Sequence, residues 1–168
     1  MKKVLISGSW RYEDAALEAQ VRQVVRDIYS QNAGIISGGA LGVDFWVLDE
    51  ALQLDPQALR IQVFLPSTLS FYKKHYKQRA VEGVISTKQY KTLIAQLKQL
   101  KKADPAALIE TKGVTALNQN TYFQRNSKEV DHADELIAFQ VNHSAGTQDT
   151  IDKARRKGIS VQVRQFEL

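Results

Sequence analysis

An α/β fold, a doubly wound parallel sheet layered between helices on both faces, is predicted by three observations on this chain. Short apolar runs alternate with stretches of helical period from the first residues onward. Three of those runs open into serine- and glycine-bearing turns that lead into helices. The 168 residues, 43% of them hydrophobic and 24% charged, are enough for one domain with a sizeable core.

The elements follow in order. Val4-Leu5-Ile6 is a strand closed by Ser7-Gly8-Ser9. From Ala15 to Tyr29, Leu17, Val21, Val24, Val25 and Ile28 recur at helical spacing, and Asn32-Ala33-Gly34 ends that helix. Ile35-Ile36 is a second strand running into Ser37-Gly38-Gly39-Ala40-Leu41-Gly42-Val43-Asp44. The next helix carries Val43, Phe45, Trp46, Val47, Leu48, Ala51, Leu52 and Leu54, apolar on nearly all sides and therefore expected to be buried. Asp55-Pro56 breaks it, and Arg60 to Leu65 is a third strand.

Ser67 to Asn120 departs from the alternation. Phe71 to Tyr76 reads as a short basic, aromatic helix or loop, and Tyr90, Leu93, Ile94, Leu97 and Leu100 mark an amphipathic helix. Ala107 to Gly113 reads as a short strand or an irregular return. The section is too short for its own core and is expected as a basic helical insertion, at about 67–120, within a single domain spanning 1–168. The pattern then resumes with a helix at Thr121 to Ala133, a strand at Glu135 to Val141, a helix from about Gln148 to Lys157 and a last strand at Ile159 to Val163.

Composition excludes several function classes. Without cysteine there is no disulfide, thiolate nucleophile or cysteine-ligated metal, and His75, His132 and His143 fall at no metal-ligand spacing. No metal and no resident cofactor is expected. No apolar run approaches the ~20 residues that span a bilayer, so no membrane partner is expected. Val4-Leu5-Ile6 is too short for a signal peptide, and cytoplasmic location is the default expectation. The net charge of +5 is unevenly placed: Arg60 to Lys102 holds ten Lys or Arg against one acid, Glu82, and the remainder is net acidic. Such a segment either attracts phosphate backbones or is a solvated helical face. Lys73, Lys74, Lys77 and Arg79, interleaved with Phe71, Tyr72 and Tyr76, are the nucleic-acid candidates. The helix around Tyr90 to Leu100 offers either core packing or a homo-oligomer contact.

Three strand-to-helix turns are ligand candidates, and sheets of this kind bind ligands at the carboxyl ends of their strands. Ser7, Gly8 and Ser9 form the first, with Arg11 just beyond; Ser37, Gly38, Gly39, Gly42 and Asp44 form the second; Ser144, Gly146, Thr147 and Asp149 form the third. Such turns present backbone N–H groups and helix dipoles to an anion. Each also has a packing reading: tight glycine turns, Thr147 as a helix cap, and Asp149 as an acid complementing the helix dipole. Arg125-Asn126 adds either a phosphate-binding arginine or a surface pair. No Gly-x-Ser-x-Gly elbow is present to mark a serine hydrolase.

The order of these motifs resembles the SLOG superfamily of Rossmann-like domains. The Gly-Gly-Ala-x-Gly-x-Asp turn and the Arg-Asn pair look most like its DprA (Smf) and YspA-like branches, more distantly the LOG nucleotide hydrolases. The resemblance covers residues 4–66 and 121–163. It implies a Rossmann-like sheet and a nucleotide or nucleotide-derived phosphate ligand, with Gly38, Gly39, Gly42, Gly146 and Thr147 at the phosphate and Arg125 at the same pocket. DprA-like binding of single-stranded DNA is the alternative it implies. A third is LOG-type cleavage of a nucleotide N-glycosidic bond, by a nucleoside monophosphate phosphoribohydrolase-like enzyme. For that activity Thr150 stands where LOG hydrolases carry their glutamate, leaving Asp149, one residue early, as the substitute; a binding module is therefore expected ahead of an enzyme.

Overall fold

The computed structural model describes residues 1–168. Six parallel strands form one sheet: β1 (Lys3–Gly8), β2 (Gly34–Gly38), β3 (Ile61–Phe64), β4 (Leu108–Ile109), β5 (Glu135–Val141) and β6 (Ser160–Phe166). Six helices connect them: α1 (Ala15–Ser30), α2 (Val43–Leu54), α3 (Leu69–Val81), α4 (Thr87–Ala103), α5 (Gln119–His132) and α6 (Ala145–Lys157). The expected α/β architecture is therefore present.

Strand order is β4-β3-β2-β1-β5-β6. The chain winds outward from β1 to β4, crosses back through α5, and winds out the other way from β5. The reversal lies between β1 and β5, which pair from Val4 with Glu135 to Gly8 with Phe139. A crevice opens at such a switch point because the flanking connections leave to opposite faces of the sheet.

The two faces are unequal. Alternation along the strands sends Val4, Ile6, Ile35, Ile137 and Phe139 into a core of 33 buried residues shared with α1–α4. Leu5, Ile36, Leu136 and Ala138 face only nine-residue packing against α5 and α6. A side-chain oxygen accepts a first-turn N–H at the starts of α1, α3, α4 and α5, from Asp14, Thr68, Ser86 and Asn118 respectively. Helix α6 starts at Ser144 with no such side-chain bond.

Residues 67–120 are woven into this frame. Helices α3 and α4 extend the larger core through Tyr72, Tyr76, Leu93, Leu97 and Leu100, and β4 adds an edge strand beside β3. The apolar face of α4 is thus packed inside its own chain, and its pattern carries no argument for self-association. Tyr72 and Tyr76 are 0% and 2% exposed, which removes them from the set of surface aromatics expected to stack bases. Lys73, Lys74 and Lys77 project to solvent from the same helix. No helix is long and apolar enough to cross a membrane.

Candidate functional site

A cavity of about 380 Å³ opens over the carboxyl ends of β1 and β5. That size falls in the range of small-ligand sites. One side is made by the first turn, Ser7, Gly8, Ser9 and Trp10, and by Ser144, Gly146 and Thr147 at the start of α6. The opposite side is made by α5, through Tyr122, Phe123, Arg125, Asn126 and Glu129, and by His75, Tyr76 and Arg79 of α3. Ala40 and Asp44 reach it from behind.

Two of the three expected turns meet at this cavity directly. Ser9 Oγ lies 2.7 Å from Ser144 Oγ and accepts the Val141 N–H at 2.8 Å, and Ser144 Oγ donates to Thr147 Oγ1 at 3.0 Å. This hydroxyl chain ties the end of β1 to the start of α6. Asn142 and His143, which lead into α6, both adopt left-handed backbone conformations without being glycine, a strained turn of the kind found at binding sites. No side chain caps α6 at Ser144, and the start of the helix, with the positive end of its dipole, lines the cavity through Ser144, Gly146 and Thr147. Gly146 faces open space: a Cβ built there meets nothing within 4 Å.

The second turn is placed differently. Ser37, Gly38, Gly39 and Gly42 are buried and do not line the cavity, and the turn reaches it through Ala40 and Asp44. A Cβ on Gly38 would lie 2.3 Å from Arg125 Nη1 and 2.5 Å from Asp44 Oδ2, and one on Gly39 would lie 2.4 Å from Leu65 Cδ2. Gly42, at φ +80, brings α2 against the backbone of Ser9 and Arg11. Asp44 accepts from Ser37 Oγ at 3.3 Å and from the Ala40 N–H at 3.4 Å.

Arg125 and Asn126 join the turns. Arg125 is buried; its Nη1 donates to the Phe64 carbonyl at 3.4 Å and its Nε lies 3.3 Å from Glu129 Oε1. Asn126 Nδ2 donates to the Gly146 carbonyl at 3.3 Å and to Asp149 Oδ2 at 3.1 Å. Asp149 also accepts from Lys153 Nζ at 2.7 Å, and it does not line the cavity. Asp149, the substitute acid of the LOG-type alternative, is here engaged by Asn126 and Lys153. Thr150 is buried and bonds back to Gly146. Arg11 also leaves the site, donating to the Val84 carbonyl at 2.8 Å and lining a separate cavity beside Ser86 and Gln89. Among the basic candidates, only Arg79 lines the central cavity; Lys73, Lys74 and Lys77 do not.

Burial dominates the electrostatics. It pushes the Glu129 carboxyl up to about 8 against the pull of Arg125, and it raises Asp44 against the same cation. Burial and the neighbouring Arg79 lower His75. The molecule has three buried side-chain polar atoms without a hydrogen-bond partner, and two of them, Trp10 Nε1 and Glu129 Oε1, belong to cavity residues. Trp10, Tyr122, Phe123 and Glu129 were not expected from sequence. Tyr122 and Phe123, within one helical turn before Arg125-Asn126, are the signal that pointed there; Glu129, one helical turn beyond Arg125, follows from the same spacing. No group of three or more His, Asp or Glu is arranged to hold a metal ion.

No family model matches the chain, and no curated protein matches it in sequence. Solved structures share its fold. DNA processing protein A from Helicobacter pylori, which binds single-stranded DNA, is 21% identical at a TM-score of 0.69, over 96% of this chain and 64% of that one. DNA processing protein A from Streptococcus pneumoniae is 18% identical at 0.62, again over 96% of this chain but 50% of that one. The molybdenum cofactor carrier protein from Chlamydomonas reinhardtii is 13% identical at 0.56, covering 96% of this chain and 75% of that one. The chain thus spans from half to three quarters of these proteins' lengths. What these structures share with the chain is the Rossmann-like α/β fold.

Proposed function

We propose that this fold, shared with DNA processing protein A, here holds a nucleotide or nucleotide-derived phosphate ligand over β1 and β5. The phosphate sits at the uncapped start of α6, against Gly146, Thr147 and the Ser9–Ser144 hydroxyls. The base lies among Trp10, Tyr122 and Phe123, where aromatic faces favour stacking. The observation that carries the reading is Gly146. It sits inside a helix, at an ordinary backbone conformation, with room for a side chain. In the first turn of α6 a glycine is a poorer helix former than alanine, and no neighbour requires it there. Its use is the close approach of a ligand to the helix N-terminus.

The test is calorimetric titration with AMP, GMP, CMP and UMP, beside native mass spectrometry of freshly purified protein for a carried-over ligand. At least one nucleotide should bind, and Gly146→Leu should weaken it tenfold or more while leaving the circular dichroism spectrum intact. Equal affinity in Gly146→Leu overturns the placement of the phosphate. A DNA-binding reading has one observation of its own: Arg79 lines the cavity on the helix that presents Lys73, Lys74 and Lys77 to solvent. Single-stranded DNA held this way would lose affinity steeply between low and physiological salt.

A further inference from the structure

The inner wall of the cavity holds two acids and one cation: Asp44 from α2, with Arg125 and Glu129 from α5. The residues are 7%, 9% and 2% exposed, so their charges interact with little help from water. One guanidinium cannot neutralise two carboxylates. Asp44 is the better supported of the two, accepting from Ser37 and from the Ala40 N–H. Glu129 Oε1 has no hydrogen-bond partner, and its approach to Arg125 Nε lacks hydrogen-bond alignment. A buried carboxylate so placed is costly; a buried carboxylic acid is not, provided an acceptor meets its O–H.

We propose that Glu129 is a specificity-determining residue of this cavity, held as a neutral carboxyl that donates a hydrogen bond to an uncharged acceptor atom of the bound nucleotide. The inference rests on the nucleotide reading and deepens it. The phosphate end of the ligand lies at α6, and the end that meets Glu129 must offer a lone pair and carry no negative charge. A carbonyl oxygen or ring nitrogen of a nucleobase meets that requirement; a second phosphate does not. Binding then holds the proton on Glu129, and affinity falls when that proton is lost. The groups facing Glu129 are Arg125 on its own helix, Asp44 from α2 and Lys153 from α6, and the tyrosines lining the same cavity are Tyr122 on α5 and Tyr76 on α3. Arg125 stays charged through any accessible pH, and burial raises both tyrosines above their ordinary range. His75 titrates below its ordinary value and a nucleotide's phosphate near pH 6. Between pH 7 and 9 the remaining groups are therefore Glu129, Asp44, which burial also raises, and the ring N–H of GMP and UMP. The Glu129→Gln comparison separates Glu129 from the other two.

The experiment titrates wild-type protein and Glu129→Gln with AMP, GMP, CMP and UMP at pH 7, 8 and 9. It also records the infrared carboxyl band of both ligand-free proteins at pH 6.5 and 9.5. Wild-type Kd for the bound nucleotide should rise about tenfold from pH 7 to pH 9, one proton being linked to binding. Glu129→Gln, whose amide donates at every pH, should show a ratio near one. A protonated-acid band present at pH 6.5, gone at 9.5 and missing from the variant supports the neutral carboxyl without any ligand. Binding with the same Kd at pH 7 and 9, or a missing acid band, overturns the proposal and leaves the nucleotide reading standing. Failure of all four nucleotides at every pH overturns that reading, and this assignment with it.

Discussion

Two turns of this chain look alike in sequence and do opposite things in the fold. The one after β2 carries three glycines and faces inward; the one after β5 carries a single glycine and faces the cavity. In the first, each glycine is fitted to a neighbour: Gly38 to Arg125 and Asp44, Gly39 to Leu65, Gly42 to the backbone of the β1 turn. In the second, Gly146 is fitted to nothing. Glycine density marks where chains pass closely, and an unfilled glycine marks where a ligand can. The Arg125-Asn126 pair spans the difference, the arginine packed into the first turn and the amide bonded to the second.

The largest break in this comparison is expected at Arg125. Arg125→Leu leaves Asp44 and Glu129 buried without their cation, a loss of about 3–5 kcal/mol measured by urea unfolding. Adding Glu129→Gln to that variant should change the loss little at pH 7, since the neutral Glu129 carboxyl carries no charge to be orphaned and Asp44 is the acid left without its cation. A loss under about 1 kcal/mol would mean that the cluster is neutral without its arginine.

The architecture was legible because its signals are local. Short apolar runs and a 3.6-residue period, with Asn32-Ala33-Gly34 and Asp55-Pro56 as stops, placed the strands and helices that build β1–β3 and β5–β6. The strand-to-helix turns also lie at the end of the sheet where the cavity opens. What stayed hidden depends on contacts distant in sequence. That Gly38 faces Arg125, or that Arg11 turns away to Val84, is set by packing between elements tens of residues apart. The same holds for Tyr72 and Tyr76. Lysines on either side make them look like a surface stacking platform, but a helix shows both faces in one stretch of sequence, and these two point inward.

The glycines themselves provide the next test. Gly42→Ala sets a Cβ 2.6 Å from Arg11 N and 2.7 Å from Ser9 O, atoms of the main chain that have little room to shift. Its positive φ adds about 1–2 kcal/mol to an overpacking cost of similar size. A fall of roughly 2–5 kcal/mol in unfolding free energy is expected, read from denaturant midpoints. Gly146→Ala should move stability the other way, by up to about 1 kcal/mol, since alanine favours the helix and meets no neighbour. If both substitutions destabilise equally, the distinction between a packed turn and an open one fails.

The smallest effect is a pH dependence, and its sign follows from Glu129. Burial raises the folded carboxyl to about 8, whereas in the unfolded chain it ionises near 4.3. Between those values the folded state holds a proton that the unfolded state has released, so stability declines as pH rises and the contribution is gone above the folded value. Asp44, raised by burial, acts with the same sign. Glu50 and Glu110 act oppositely: burial opposes their ionisation, but Arg26 and Arg22, and the Leu69 N–H with Lys101, hold them below the ordinary range. Their contribution is lost on acidification and is constant above pH 7. From pH 7 to pH 9 the wild-type protein should therefore lose on the order of 1 kcal/mol through Glu129. Glu129→Gln removes that group while keeping Asp44, so its decline over the same interval should be smaller by about that amount. Parallel urea-stability curves for the two proteins would place the shared proton on Asp44 and make Glu129 the ionised partner of Arg125.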